Sequence, residues 1–199
     1  MITRRNNQSD DWRGLGASEQ RPRYVAISNF IHRADITTIL DVGCGEALLY
    51  DWVPPNIRYT GIEPSASAAL LAEAKCPGRI IRSTAEAFNA PGMYWERIVF
   101  SEVLYYSVDP LGLLRKYARL LTPDGTIIIS IYMKPGWISF KKRFRHLMDR
   151  RRPKSNLHCI EMVMQFLTDE KWTVLTDQQV CDSAFGNRWR ILSVRPPRS

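Results

Sequence analysis

Long apolar runs are missing from this chain of 199 residues. No window approaches the ~18 consecutive apolar residues of a membrane-crossing helix, which excludes an integral membrane protein of the helical kind. Arg4 and Arg5 are followed by no apolar stretch, so a secretory leader is not expected either. Cysteine is scarce and scattered. Cys44, Cys76, Cys159 and Cys181 show no C-x-x-C spacing, which argues against a zinc site and a disulfide framework and for a reducing compartment, read here as the cytoplasm. Acidic residues are outnumbered, 20 against 28 basic, for a net charge of +8. That balance suits an anionic partner but carries no information about fold.

What is present begins with an ordinary apolar content of 45% and enough chain for one domain. Ile39, Leu40 and Val42 read as a strand covered on both faces. The strand runs into Gly43-Cys44-Gly45, where glycine permits a sharp bend and close approach of a ligand. A short helix is expected from about Glu46 to Trp52, ended by Pro54-Pro55. Strand, Gly-x-Gly and helix together are a nucleotide-binding plan. Arg58 to Ile62 reads as the second strand, with Glu63 at its carboxyl end, about 20 residues past the glycines, where a carboxylate can hold a ribose diol.

The rest of the chain repeats strand and helix. Residues 1–20 are polar and are expected to form a mobile arm in which Trp12 could fold over a site. Residues 21–199 are expected to form the domain. A helix is predicted from Pro22 to Ala34, with proline in its first turn and Tyr24, Ile27, Phe30 and Ile31 on one face. Helix formers fill Ala66 to Lys75, and Arg79 to Arg82 is a short third strand. Glu86 suits a capping role after it. Trp95 to Phe100 is the fourth strand, with Ser101 and Glu102 at its end. A helix runs from Asp109-Pro110 to about Leu121, Asp124-Gly125 reads as a turn, and Thr126 to Tyr132 is the fifth strand. Residues 133–157 break the pattern: Lys141, Lys142, Arg143, Arg145, Arg150, Arg151, Arg152 and Lys154 are interleaved with aromatics, as in a basic insertion. A helix from Cys159 to Thr168 and strands at Trp172 to Val180 and Arg188 to Val194 complete the chain, the last two turning at Gly186-Asn187.

Leu40-Asp41-Val42-Gly43-Cys44-Gly45 resembles the first motif of class I S-adenosylmethionine-dependent methyltransferases. Glu63 and the block Leu120 to Ser130 extend the likeness over roughly residues 35–132, with Ala47 or Leu48 where a third glycine would stand. The resemblance implies a Rossmann-like, doubly wound, seven-stranded α/β sheet, mostly parallel with an antiparallel carboxyl-terminal strand, and S-adenosyl-L-methionine as cofactor, released as S-adenosyl-L-homocysteine. It further implies that Asp41, Gly43, Gly45, Glu63 and Ser101 line the cofactor, that Thr84 and Ala85 stand at the adenine, and that Arg23, or more weakly Arg21, meets the methionine carboxylate. Glu102, Tyr105, Tyr106 and His158 are the candidates for acceptor chemistry. The run Phe100 to Tyr106 resembles methyltransferases acting on amino sugars of nodulation-factor type. A small, sugar-like acceptor is therefore the favoured partner, with an anionic one suited to the basic segment. RNA methylation or nucleic-acid binding through that segment is the alternative. Base methylation is disfavoured, because Ser101-Glu102-Val103-Leu104 stands where base-methylating families carry an Asn/Asp-Pro-Pro-aromatic signature. An NAD-binding dehydrogenase is more distant still.

Overall fold

The computed structural model describes residues 17–32, 36–76, 78–133, 155–182 and 186–198. Trp12 and the basic residues from Lys141 to Lys154 lie outside them. Seven strands form one sheet in the order β3-β2-β1-β4-β5-β7-β6. They are β1 (Thr38–Val42), β2 (Arg58–Ile62), β3 (Arg79–Ile81), β4 (Trp95–Ser101), β5 (Leu121–Tyr132), β6 (Thr173–Cys181) and β7 (Arg188–Arg195). The first five are parallel, and β7 runs antiparallel to both β5 and β6. The strand order reverses between β1 and β4, which opens a crevice at their carboxyl ends.

Four α-helices cover the sheet: α1 (Ala17–Ile31), α2 (Ala66–Lys75), α3 (Pro110–Ala118) and α4 (Asn156–Asp169). The strand period of two sorts the core into two layers. Leu40, Val42, Ile98, Phe100, Ile127 and Ile129 face α3 and α4. Ile39, Val99, Ile128 and Ile191 face α1 and α2. Asp41 lies between Leu40 and Val42, so its side chain falls on the α1 side.

Several local expectations are corrected. α1 begins at Ala17 rather than Pro22, and Pro22 lies inside it. A proline there forfeits one backbone hydrogen bond, and the packing of Tyr24, Ile27 and Ile31 offsets that cost. The helix after the glycines is a 3-10 helix of five residues, Leu48–Trp52. α3 stops at Ala118, and the Asp124-Gly125 turn is absorbed into β5. Pairing jumps from Trp95↔Leu121 to Arg97↔Thr126, so the turn residues form an irregularity within the strand. Glu86 caps no helix: its Oε1 accepts from Ser107 Oγ at 2.9 Å.

Candidate functional site

The loop after β1 is lashed to β2. Gly43 N and Cys44 N both donate to Ile62 O, at 2.8 and 2.9 Å. Gly43, Gly45 and Ala47 all take positive φ, at 71°, 55° and 54°. The two glycines accept this without penalty, whereas Ala47 carries a strain that L-residues usually avoid. The two glycines also differ in surroundings. A Cβ on Gly43 would lie 2.5 Å from Val103 Cγ2, so glycine is required for packing. A Cβ on Gly45 would meet nothing within 4 Å. Gly45 thus presents bare backbone to open space. Between them, the Cys44 sulfur fills the room left by Gly61, where a Cβ would sit 2.7 Å from it. Burial pushes the Cys44 thiol well up, so it is an inert packing group.

Glu63 closes the loop from the neighbouring strand. Its Oε2 accepts from Gly45 N at 2.9 Å and its Oε1 from Ser65 N at 2.8 Å. Two of the roughly four acceptor sites of the carboxylate remain for a ligand. Asp41 lies beneath the loop. Its Oδ2 accepts from Tyr59 OH at 2.7 Å, while its Oδ1 is buried with no partner. Burial raises its carboxyl to about 6, against the pull of the Tyr59 hydrogen bond and the Arg23 charge. Arg23 reaches the same region from α1. It is 4% exposed, and its Nε has no partner. Ser101 Oγ is likewise buried and unpartnered. Three of the five such atoms among the described residues therefore belong to Arg23, Asp41 and Ser101, all predicted cofactor contacts. Buried polar groups are normally satisfied, so the cluster is shaped for a polar ligand.

The far wall is built around Glu102, a non-glycine residue at φ 65°. Its carboxylate accepts from Ser130 Oγ at 2.6 Å, Tyr105 OH at 2.8 Å and Tyr132 N at 2.9 Å. Arg23 Nη1 stands 3.6 Å from its Oε1. Burial raises the Glu102 carboxyl, while Arg23 and the hydrogen bonds hold it down. Tyr105 is pushed far up by burial and by the Glu102 charge, and Tyr106 is pushed up to about 12, chiefly by burial. The two tyrosine rings stand 4.5 Å apart, and Tyr106 is half exposed.

The remaining candidates make their hydrogen bonds, ring and ion-pair contacts with other partners than Glu63 and Glu102. Thr84 is exposed, and its Oγ1 accepts from Ala87 N at 3.1 Å, pinning a turn. Ala85 is buried, and its carbonyl accepts from Tyr117 OH at 3.0 Å. Arg21 stacks toward Trp52 at 5.9 Å. His158 does not join the Glu102 cluster. Its Nδ1 lies 3.6 Å from Glu161 on its own helix, and its ring lines a groove with Leu111 and Arg115 between α3 and α4. The structure places the His158 ring in that groove, where its ion-pair partner is Glu161 and not Glu102. Among the described residues no group of three His, Cys, Asp or Glu could hold a metal ion, and no helix is long and apolar enough to cross a membrane.

Sequence reasoning missed the parts played by Ser130, Tyr132 and Val103. Their contacts arise between strands distant in the chain, and no local spacing announces them.

Residues 15–177 match the family described as a methyltransferase domain. This chain belongs to the S-adenosylmethionine-dependent methyltransferase family. The methyltransferase is also 26% identical over 102 residues to an uncharacterized methyltransferase of Mycobacterium tuberculosis strain H37Rv and to its counterpart in Mycobacterium bovis. Those matches take in 49% of this chain, and the chain spans about half the length (52%) of these curated relatives. Among solved structures it resembles the N-methyltransferase NodS of Bradyrhizobium japonicum WM9 in complex with S-adenosyl-L-homocysteine. That likeness has a TM-score of 0.70 and 18% identity, over 96% of this chain and 94% of that one. The plantazolicin methyltransferase BpumL, also with S-adenosyl-L-homocysteine, gives 0.62 and 14%, over 93% and 86% of the two chains. The [4+2]-cyclase SpnF gives 0.67 and 16%, over 89% and 82%. At such identities these likenesses establish the fold alone, and the cyclase illustrates how one fold carries different reactions. The cofactor of the family is S-adenosyl-L-methionine, and the open space above Gly45 beside the Glu63 carboxylate leaves room for a polar ligand.

Proposed function

We propose that this methyltransferase transfers a methyl group from S-adenosyl-L-methionine to a nitrogen or oxygen atom of a small, sugar-like acceptor. The observation that carries the reading is Gly45: left-handed, open above, and tied by its own N–H to the carboxylate of Glu63. When bound, S-adenosyl-L-methionine supplies a methyl group on a positively charged sulfur, already activated for displacement. Glu63 holds the ribose hydroxyls with its remaining lone pairs. Arg23 meets the methionine carboxylate, and Asp41 sets a negative charge below the loop. Thr84 and Ala85 flank the adenine, and Ser101 offers its unpartnered hydroxyl at the sheet edge. The protein's share of the catalysis is alignment, worth up to about 7–11 kcal/mol when donor and acceptor are held in line.

The state of Glu102 bears on the acceptor. Its carboxylate is already engaged by three hydrogen-bond donors and an arginine, and Tyr105 donates into it. Neither group is free to take a proton. This favours an acceptor that attacks while neutral, such as an unprotonated amine, over an alcohol that must first be deprotonated. The amino-sugar likeness of Phe100 to Tyr106 points the same way, as does the N-methyltransferase named among the structural neighbours. Nucleic-acid binding rests on the basic segment, which lies outside the described residues, and is the weaker reading.

Calorimetric titration with S-adenosyl-L-homocysteine tests the cofactor. Micromolar binding is expected, and a folded sample giving no heat with it or with S-adenosyl-L-methionine overturns the reading. Transfer of labelled methyl to a panel of amino sugars and small amines tests the acceptor. Labelling of RNA instead would move the assignment to the alternative.

A further inference from the structure

We propose that Glu102 is a positioning residue of the cofactor site, whose buried carboxylate holds the Arg23 guanidinium at the carboxyl edge of the sheet. The inference rests on the cofactor reading above. Three observations carry it. Glu102 takes φ 65°, a conformation that a long side chain adopts only when its surroundings repay the steric penalty. What repays it is on the page: donors from β5 (Ser130 and Tyr132) and from the 3-10 helix Leu104–Tyr106 (Tyr105) converge on one carboxylate. These contacts fix Glu102 from three directions before any ligand arrives.

Arg23 has no comparable set. Its Nη1 stands 3.6 Å from Glu102 Oε1, its face lies 4.5 Å from the Tyr24 ring, and its Nε has no partner. At 4% exposure it cannot turn to water for compensation. A buried guanidinium needs counter-charge: Asp41 acts on it from beneath the loop, and Glu102 stands in ion-pair contact with it. The unfilled Nε is the part of the fork left for an anionic group. Glu102 therefore acts on the ligand through Arg23 and leaves it a free donor. It is not itself a contact for the reacting atoms.

The test is a double-mutant cycle in the binding of S-adenosyl-L-homocysteine by calorimetry, on wild type, Glu102→Gln, Arg23→Gln and the double variant. Glutamine keeps the shape and most hydrogen bonds of Glu102 and removes its charge. Glu102→Gln is expected to weaken binding about tenfold, the worth of one charge-assisted contact. The double variant should bind no more weakly than Arg23→Gln alone, because the effect of Glu102 runs through Arg23. A purely structural role would leave the losses additive, and additive losses overturn the proposal. So does wild-type affinity in Glu102→Gln. Tighter binding there would overturn it as well, by showing Glu102 to compete with the ligand for Arg23. Should Glu102→Gln fail to fold, Ser130→Ala and Tyr105→Phe each loosen the carboxylate. About threefold weaker binding in both supports the proposal, on the same scale, and unchanged binding in both defeats it. A folded wild-type protein that does not bind the probe would refute the cofactor reading itself, a distinct result.

Discussion

The two halves of the sheet build their parts of the crevice by different means. On one side β3, β2 and β1 are short, at three, five and five residues. Their contribution is backbone: bends at Gly43, Gly45 and Ala47, fastened to Ile62 and Glu63. On the other side β4, β5, β7 and β6 run to seven, twelve, eight and nine residues. This half contributes a side-chain network on Glu102, at the end of β4, with donors from β5 and from the 3-10 helix Leu104–Tyr106. A backbone cradle tolerates almost no side chain, whereas a network can lose a member and keep its outline. The glycine-loop side should therefore break abruptly under small substitutions, and the Glu102 side should degrade by steps.

The largest effect is expected at Gly43. A methyl group there meets Val103 and must also adopt φ 71°, at a cost of about 1–2 kcal/mol for the conformation alone. Gly43→Ala should lower the affinity for S-adenosyl-L-homocysteine at least ~100-fold and reduce the melting temperature, both read by calorimetry. Gly45→Ala sharpens the point, because the space above it is open. The fold should survive that change with only the conformational cost, while binding falls as steeply. Equal binding by Gly45→Ala and wild type would mean that no ligand approaches this backbone. Next comes Glu63→Ala, expected to weaken binding about tenfold or more through the loss of a charged acceptor. If its affinity matched wild type, the ribose role would be wrong.

Asp41 separates stability from function. Burial lifts its carboxyl to about 6, against ~3.9 in an unfolded chain. The folded state thus holds this proton more tightly than the unfolded state. The contribution to stability is full below about pH 4 and is lost as pH rises through about 6, amounting to about 3 kcal/mol across that window. Asp41→Asn should flatten urea-unfolding stability between pH 4 and 6 and stabilise the protein at pH 8, while weakening cofactor binding. A variant that follows the wild-type curve would show the carboxylate to be compensated by its neighbours. The smallest effect belongs to Glu170→Gln, far from the crevice. It breaks an exposed pair with Arg115, and should change stability by under about 1 kcal/mol and leave binding untouched.

The same contrast explains what could be read from the chain. The glycine-loop side was legible because its parts are local: glycines two apart at a strand end, and an acid closing the next strand. Most strands announced themselves by apolar runs bounded by turn residues, and the doubly wound arrangement of the sheet came from the family resemblance. Limits came where distant contacts decide. Asp124-Gly125 read as a turn and became part of β5, because pairing with β4 absorbs the irregularity. Pro22 read as a helix start and ended up inside α1. Glu102 read as a candidate for acceptor chemistry; its hydrogen bonds from Ser130 and Tyr132 and its ion pair with Arg23 come from positions that no spacing in the sequence links to it.

One feature of the sheet reaches beyond the crevice. β7 follows β6 in the chain yet lies between β6 and β5. Until β7 emerges from the ribosome, β6 has no strand to lie beside and β5 keeps an open flank. The final stretch of the sheet therefore closes late, because the long-range pairing of β5 with β7 waits for the last strand. Premature termination anywhere before Arg188 would leave an adhesive strand edge on nascent chains, a hazard that chaperones would have to cover during synthesis.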